Sequence, residues 1–445
     1  MVTVENAEFG LGLSAPASAA AATASRRAIV AATIGNLLET YDFAVYGFFA
    51  IIISRLFFPA GDETVSLLLT VATFGVGFFM RPVGAVVLGT LADRRGRKFA
   101  LSVTILMMAV GTALIGLAPT YASIGVWAPA IIVLARLIQG FSAGGEIGTA
   151  TAFLVEHAPP ERRGFFASWQ QASQAGALLL GALVGAAMTG LLSPADLESW
   201  GWRVPFLLGL LIGPVGFYIR KHTQEAEEFQ RAVHDRPSSS LAAVLRLHGR
   251  SIFTGFGITI TWTVCTYFFL IYMPTFAVRQ LQIPQSTALL ANGIGLLVLL
   301  VLAPAFGALS DRIGRRPLLL GSASAVVVLT YPLLALLSAA PSPLALTLFQ
   351  IAFAVLIAAF TGAAPAAMAE ICPPEVRSTG VSIAYNFAVT IFGGFAPFIA
   401  TWLIAKTGYA LAPAWYVTAA TALSGVMIFA LYQRQPGNFP RSSQR

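Results

Sequence analysis

The basic turn Gly89-Thr90-Leu91-Ala92-Asp93-Arg94-Arg95-Gly96-Arg97-Lys98 lies between two long apolar runs. It returns 218 positions later as Gly307-Ala308-Leu309-Ser310-Asp311-Arg312-Ile313-Gly314-Arg315-Arg316. A second turn follows each copy. Glu156-His157-Ala158-Pro159-Pro160-Glu161-Arg162-Arg163 is matched, at an offset of 214, by Glu370-Ile371-Cys372-Pro373-Pro374-Glu375-Val376-Arg377. Two unrelated signals in the same order, at nearly the same offset, make this chain an internal duplication. Whatever fold it adopts must consist of two similar halves.

The solvent of that fold follows from composition. Of 445 residues, 57% are hydrophobic and only 10% charged, where soluble domains carry roughly 25% charge. So much apolar surface requires a bilayer. A spanning helix needs about 20 mainly apolar residues, and twelve segments qualify: 28–54, 64–92, 98–118, 126–157, 164–192, 202–221, 251–278, 286–310, 317–339, 343–371, 379–405 and 411–433. The expected fold class is an all-α membrane protein of twelve transmembrane helices in two homologous six-helix bundles. The expected division is a cytoplasmic tail (1–27), a first bundle (28–221), a polar cytoplasmic linker (222–250), a second bundle (251–433) and a cytoplasmic tail (434–445). With both termini cytoplasmic, 21 of the 27 Lys and Arg fall on the inside and four outside, as the positive-inside rule requires. The net charge of +8 therefore serves topology and does not point to nucleic acid. Residues 1–25 hold no basic residue and so lack the positive start of a signal peptide. The histidines His157, His222, His234 and His248 sit at the cytoplasmic surface or in the linker. No metal, cofactor or nucleophile cluster is evident, and no phosphate-binding glycine loop marks ATP as the energy source. The chain reads as a carrier and not an enzyme. Its partners are the lipid bilayer, protons and a small anionic solute, and a monomer is expected.

Charge within a span costs about 2.5–3.5 kcal/mol or more at the bilayer centre. Glu39, Asp42, Arg81, Arg136 and Glu146 all carry charge there, and all belong to the first half. At ~1.5 Å per helical residue, Glu39, Arg81 and Arg136 reach one layer near the midplane. Arg136, Gln139, Ala143 and Glu146 follow 3-4-3 spacing and so line one stripe of the fourth helix. The arginines suit an anion, because guanidinium stays charged and grips carboxylate in two places. Glu39, Asp42 or Glu146 is the expected proton carrier. Burial favours the neutral acid while a neighbouring arginine favours the anion. The amides and hydroxyls of Gln139, Gln170, Gln171, Gln174, Tyr385 and Asn386 complete the expected substrate site, and the 214-residue offset sets Gln171 opposite Tyr385. At the cytoplasmic end, Gly89, Asp93, Arg94, Arg97 and Glu156 form one expected gate, and Gly307, Asp311, Arg312, Arg315 and Glu370 its repeat. The arginines there should reach Glu156 or Glu370, and the aspartates should cap or pair at a neighbouring helix end.

Two six-helix halves with Gly-x-x-x-Asp-Arg-x-Gly-Arg-Arg/Lys after the second helix of each resemble the major facilitator superfamily over about residues 28–433. Within it, Gly35-Asn36-Leu37-Leu38-Glu39-Thr40-Tyr41-Asp42, Phe79-Met80-Arg81-Pro82, Arg136 through Glu146 and Gly201-Trp202-Arg203 resemble the metabolite:proton symporters. Ser168 through Gln174 and Tyr385-Asn386 look most like the citrate/tricarballylate branch. That resemblance implies alternating access and proton-coupled symport of a polycarboxylate. Carriers of a dicarboxylate, shikimate or proline/betaine share the wider motifs, so those solutes stay open, as does a non-transporting sensor on the same scaffold.

Overall fold

Lipid offers no partner for a free peptide group, so a chain this apolar must close its main-chain hydrogen bonds within each segment. The computed structural model describes residue 37 and residues 39–95, 97–156, 158–210, 241–374 and 376–432. Every regular element among them is helical. We label the spans α1 (Glu39–Phe48 and Ala50–Phe57, bent by 69°), α2 (Glu63–Arg95), α3 (Arg97–Leu117), α4 (Trp127–Glu156), α5 (Arg163–Leu191) and α6 (203–210). The second half supplies α7 (Arg246–Leu281), α8 (Gln285–Ile313), α9 (Arg315–Ala339), α10 (Pro343–Ile371), α11 (Arg377–Thr407) and α12 (Ala412–Leu431). Among the described residues nine of these are long and apolar enough to cross a bilayer, and the bent α1 makes a tenth. The apolar part of α3 is shorter, over Ser102–Leu117, and α6 is represented by its first turns. The chain is a multi-pass, all-α membrane protein of two six-helix halves. The expected tails and residues 222–240 of the expected linker lie outside the described residues.

The helix leading into α7 starts earlier than its hydropathy suggests. It begins at Leu241 and loses helical dihedrals at His248 (φ −120°, ψ 19°). Gly249 follows, and glycine weakens a helix interior, so the residues before and after His248 are separate helical pieces.

Glycine decides how close the first-half helices come. At Gly140 a Cβ would collide with the carbonyl oxygen of Gly77, and at Gly144 with that of Arg81. Helices α2 and α4 therefore cross backbone to backbone, as small residues allow in a membrane. Two turn residues, Gly144 and Gly145, part the helix that ends at Ala143 from the one that starts at Glu146, within a single span. Between the halves, α5 lies along α8 and α10, while α11 lies against α2 and α4. Tyr385 on α11 meets the Trp262 ring of α7 (5.3 Å between centroids).

Two wide π-helical turns interrupt the second half, Thr266–Tyr272 in α7 and Val389–Gly393 in α11. Such turns leave main-chain groups out of register and recur at functional sites.

Candidate functional site

The charges expected at mid-depth are buried together. Arg81 is 3% exposed and Arg136 wholly enclosed. Arg81 Nη2 donates to Glu39 Oε1 at 2.7 Å. Its guanidinium carbon lies 4.8 Å from the Phe43 ring and 4.6 Å from that of Phe78. Arg136 lies 4.3 Å from the same Phe43 ring, 4.6 Å from Tyr46 and 5.1 Å from Phe74. Ring faces attract cations, the more so when water is excluded. Phe43, one turn beyond Glu39 on α1, thus lies against both arginines, which would otherwise repel.

A directed chain of hydrogen bonds leads away from Arg136. Its Nη1 donates to Gln139 Oε1 (3.0 Å), and Gln139 Nε2 donates to Thr112 Oγ1 (3.2 Å). The Thr112 hydroxyl donates to Asp42 Oδ2 by a short contact, and Met108 O at 3.0 Å is its alternative acceptor. A hydroxyl has one proton, so it serves one of the two at a time. Nε and Nη2 of Arg136 have no partner among the described residues. That is costly for a buried cation and leaves two donors available to a ligand.

The expected amides divide. Gln170 Oε1 accepts from Thr151 (2.6 Å) inside the first half. Gln171 is fully buried with both amide atoms unpartnered among the described residues, and Gln174 is buried beside it on the same helix. Asn386 Nδ2 donates to the Gly144 carbonyl across the halves (2.6 Å). The side chain of Glu146 lies outside the described residues, as do those of Asp93, Arg94 and Arg97 and the surroundings of Gly89. Sequence reasoning passed over Thr112, Phe43 and Tyr46. A lone threonine and two aromatics in apolar helices carry no signal until their neighbours are known.

The site is shut at both ends. At the end bearing the basic turns, Asp311 accepts main-chain N–H groups of Gly164 (2.7 Å) and Phe165 (2.9 Å) from the other half. These are free donors of the first turn of α5, where a carboxylate also meets the positive helix end. Arg315 holds Asp311 at 2.8 Å and Glu370 at 2.9 Å. Glu156 is held by Arg377 of the opposite half, at 3.2 Å. Arg312 is exposed and makes no ion pair with a described residue. Gly307 sits where a Cβ would collide with Ser168 of α5. At the opposite end Arg279 pairs with Glu63, and Gln285 Nε2 donates to the Phe48 carbonyl at 2.8 Å. Between the two closures Tyr267 packs edge-on against Phe78 (5.2 Å) and Phe74 (5.9 Å). Contacts between the halves thus flank the buried charges at both ends.

The family model described as "Sugar (and other) transporter" matches residues 28–221 and again 218–435. The chain is 39% identical over 407 residues to the citrate-proton symporter of Klebsiella pneumoniae, covering 92% of each. It is 40% identical over 404 residues to that of Salmonella typhi, covering 91% of this chain and 93% of the relative. Its fold is similar to the partially occluded, inward-open xylose transporter of E. coli, with a TM-score of 0.73 at 18% identity over 93% of this chain and 99% of that one.

Proposed function

The chain belongs to the sugar (and other) transporter family, and from that premise we propose that it is a secondary carrier importing a citrate-like polycarboxylate together with protons, by alternating access. Both termini face the cytoplasm of the cell (inner) membrane in this reading, so the basic turns mark the inner end. One observation carries the reading most directly. Arg136 is wholly buried, offers two unpartnered donor nitrogens, and is wired through Gln139 and Thr112 to a carboxylate.

The mechanism follows from charge balance. Arg81 and Arg136 oppose Glu39 and Asp42, so the described site is neutral before substrate enters. Bringing an anion into such a low-dielectric space leaves an uncompensated charge unless a proton comes with it. A substrate carboxylate takes the free donors of Arg136 and competes with Glu39 for Arg81, and a carboxylate released from its arginine gains affinity for a proton. Protonation of Asp42 also has a local consequence. With the proton on Oδ2 the acid becomes a donor there, so the Thr112 hydroxyl turns to Met108 O and accepts from Asp42. The relay reverses in its last link, and Gln139 keeps its own bond. Gln171, Gln174 and Tyr385 offer polar groups for the remaining carboxylates and hydroxyl, and Glu146 is a third acid available for the proton.

The test is uptake of labelled citrate into proteoliposomes under an imposed proton gradient, with and without a protonophore. Accumulation that collapses with the protonophore is expected. Folded protein that accumulates a dicarboxylate, shikimate or betaine instead would retain the carrier and overturn the citrate assignment.

A further inference from the structure

Proline removes the N–H that a helical carbonyl four residues earlier would accept. Pro82 in α2 does this to Phe78, and Pro274 in α7 does it to Leu270. Neither carbonyl is left bare. Asn292 Nδ2 of α8 donates to Leu270 O at 3.0 Å, within the second half. Phe78 O receives Thr390 Oγ1 of α11 at 2.9 Å, from the opposite half. One turn away on α11, Asn386 Nδ2 donates to Gly144 O, where the break at Gly144–Gly145 interrupts α4. Asn386 and Thr390 are four residues apart and so share a face. Both are buried.

We propose that this face of α11 is the inner closure of the substrate site: Thr390 and Asn386 latch the two halves by occupying main-chain carbonyls that Pro82 and the α4 break leave open beside Arg81 and Arg136. The inference rests on the alternating-access reading. The bond from Asn292 stays within one half and survives rocking of the halves. The bonds from Thr390 and Asn386 cross between halves and must be exchanged for water when the inner end opens. The latch also touches the charged layer. The carbonyl that Thr390 holds belongs to Phe78, whose ring carries the Arg81 guanidinium. Loss of the latch therefore frees the segment of α2 that presents Arg81, which makes Thr390 a positioning residue for the site.

The test needs no substrate. Ser378 of α11 is half-buried at the inner end and faces Thr149 of α4 at 3.3 Å across the halves. A cysteine placed there (Ser378→Cys) in purified protein reports separation of the halves through its rate of maleimide labelling, read by mass spectrometry. Thr390→Val keeps the side-chain shape and removes the donor, and Thr390→Ser keeps the donor. A typical net hydrogen bond corresponds to roughly a two- to tenfold change in the closed-to-open ratio, so Thr390→Val should raise labelling by about that factor while Thr390→Ser stays near the parent. Asn386→Ala should act in the same direction. Labelling unchanged in both Thr390→Val and Asn386→Ala overturns the latch, and so does Thr390→Ser labelling as fast as Thr390→Val. Because labelling reads geometry alone, failure of citrate uptake would leave this result standing.

Discussion

Replacing Asp311 by Asn removes one charge from the inner end while nearly preserving shape. In the parent, one carboxylate oxygen accepts from Gly164 N at 2.7 Å and the other from Phe165 N at 2.9 Å, and Arg315 adds a third contact at 2.8 Å. Asparagine has one acceptor oxygen, so it keeps one main-chain bond and turns its own N–H groups towards the other donor. Arg315 retains Glu370 at 2.9 Å, so the loss falls on the bonds to α5. A hydrogen bond to a charged group contributes about 1.5–3 kcal/mol net. Losing one such bond and weakening the other to a neutral one, with water able to reach the opened end, should disfavour closure by ~2–3 kcal/mol, a factor of roughly 30 to 150. The assay is the same labelling of Ser378→Cys, run beside thermal unfolding in detergent. Labelling should rise by well over tenfold, with the unfolding midpoint moved by only a few degrees, since each half keeps its own core. An Asp311→Asn protein that labels at the parent's rate would refute the argument. So would Glu370→Gln opening the inner end more than Asp311→Asn, because that would place the closure in the contacts within the second half.

Other outcomes follow from the same geometry. Thr112→Val cuts the relay between Gln139 and Asp42 and strands a buried donor and a buried acceptor, each costing about 1–3 kcal/mol. Proton-driven uptake should fall more than solute exchange, and equal loss of both would show that Thr112 serves packing alone. Gly140→Leu drives a side chain into the Gly77 backbone and should lower folded yield and midpoint sharply, whereas Gly425→Leu, where nothing lies within 4 Å, should be tolerated. Burial pushes the Cys372 thiol up to about 11. Because thiolate is the reactive form, its alkylation should keep rising about tenfold per pH unit past pH 9, and a plateau near pH 9 would refute it.

The halves, the spans and the mid-depth charges were legible because each leaves a periodic or compositional mark. Apolar length sets a span, and a carboxylate or guanidinium inside it is conspicuous. Partner choice was not legible. Nothing in the spacing says that Glu156 meets Arg377, because the answer depends on which helix ends the two halves bring together. Asp42 and Glu39 sit one turn apart, but they lead into separate networks, on α3 through Thr112 and on α2 through Arg81.

The glycine crossing of α2 and α4 sets more than a packing distance. The two guanidiniums are mounted on helices that touch backbone to backbone at Gly77 and Gly140 and again at Arg81 and Gly144, with one phenyl ring against both charges. In the proposed mechanism both arginines therefore travel with the first half. Their spacing is set on one side by a crossing that glycine holds tight and on the other by a segment of α2 that the latch releases, so the opening of the inner end and the grip on a solute's negative groups are one adjustment.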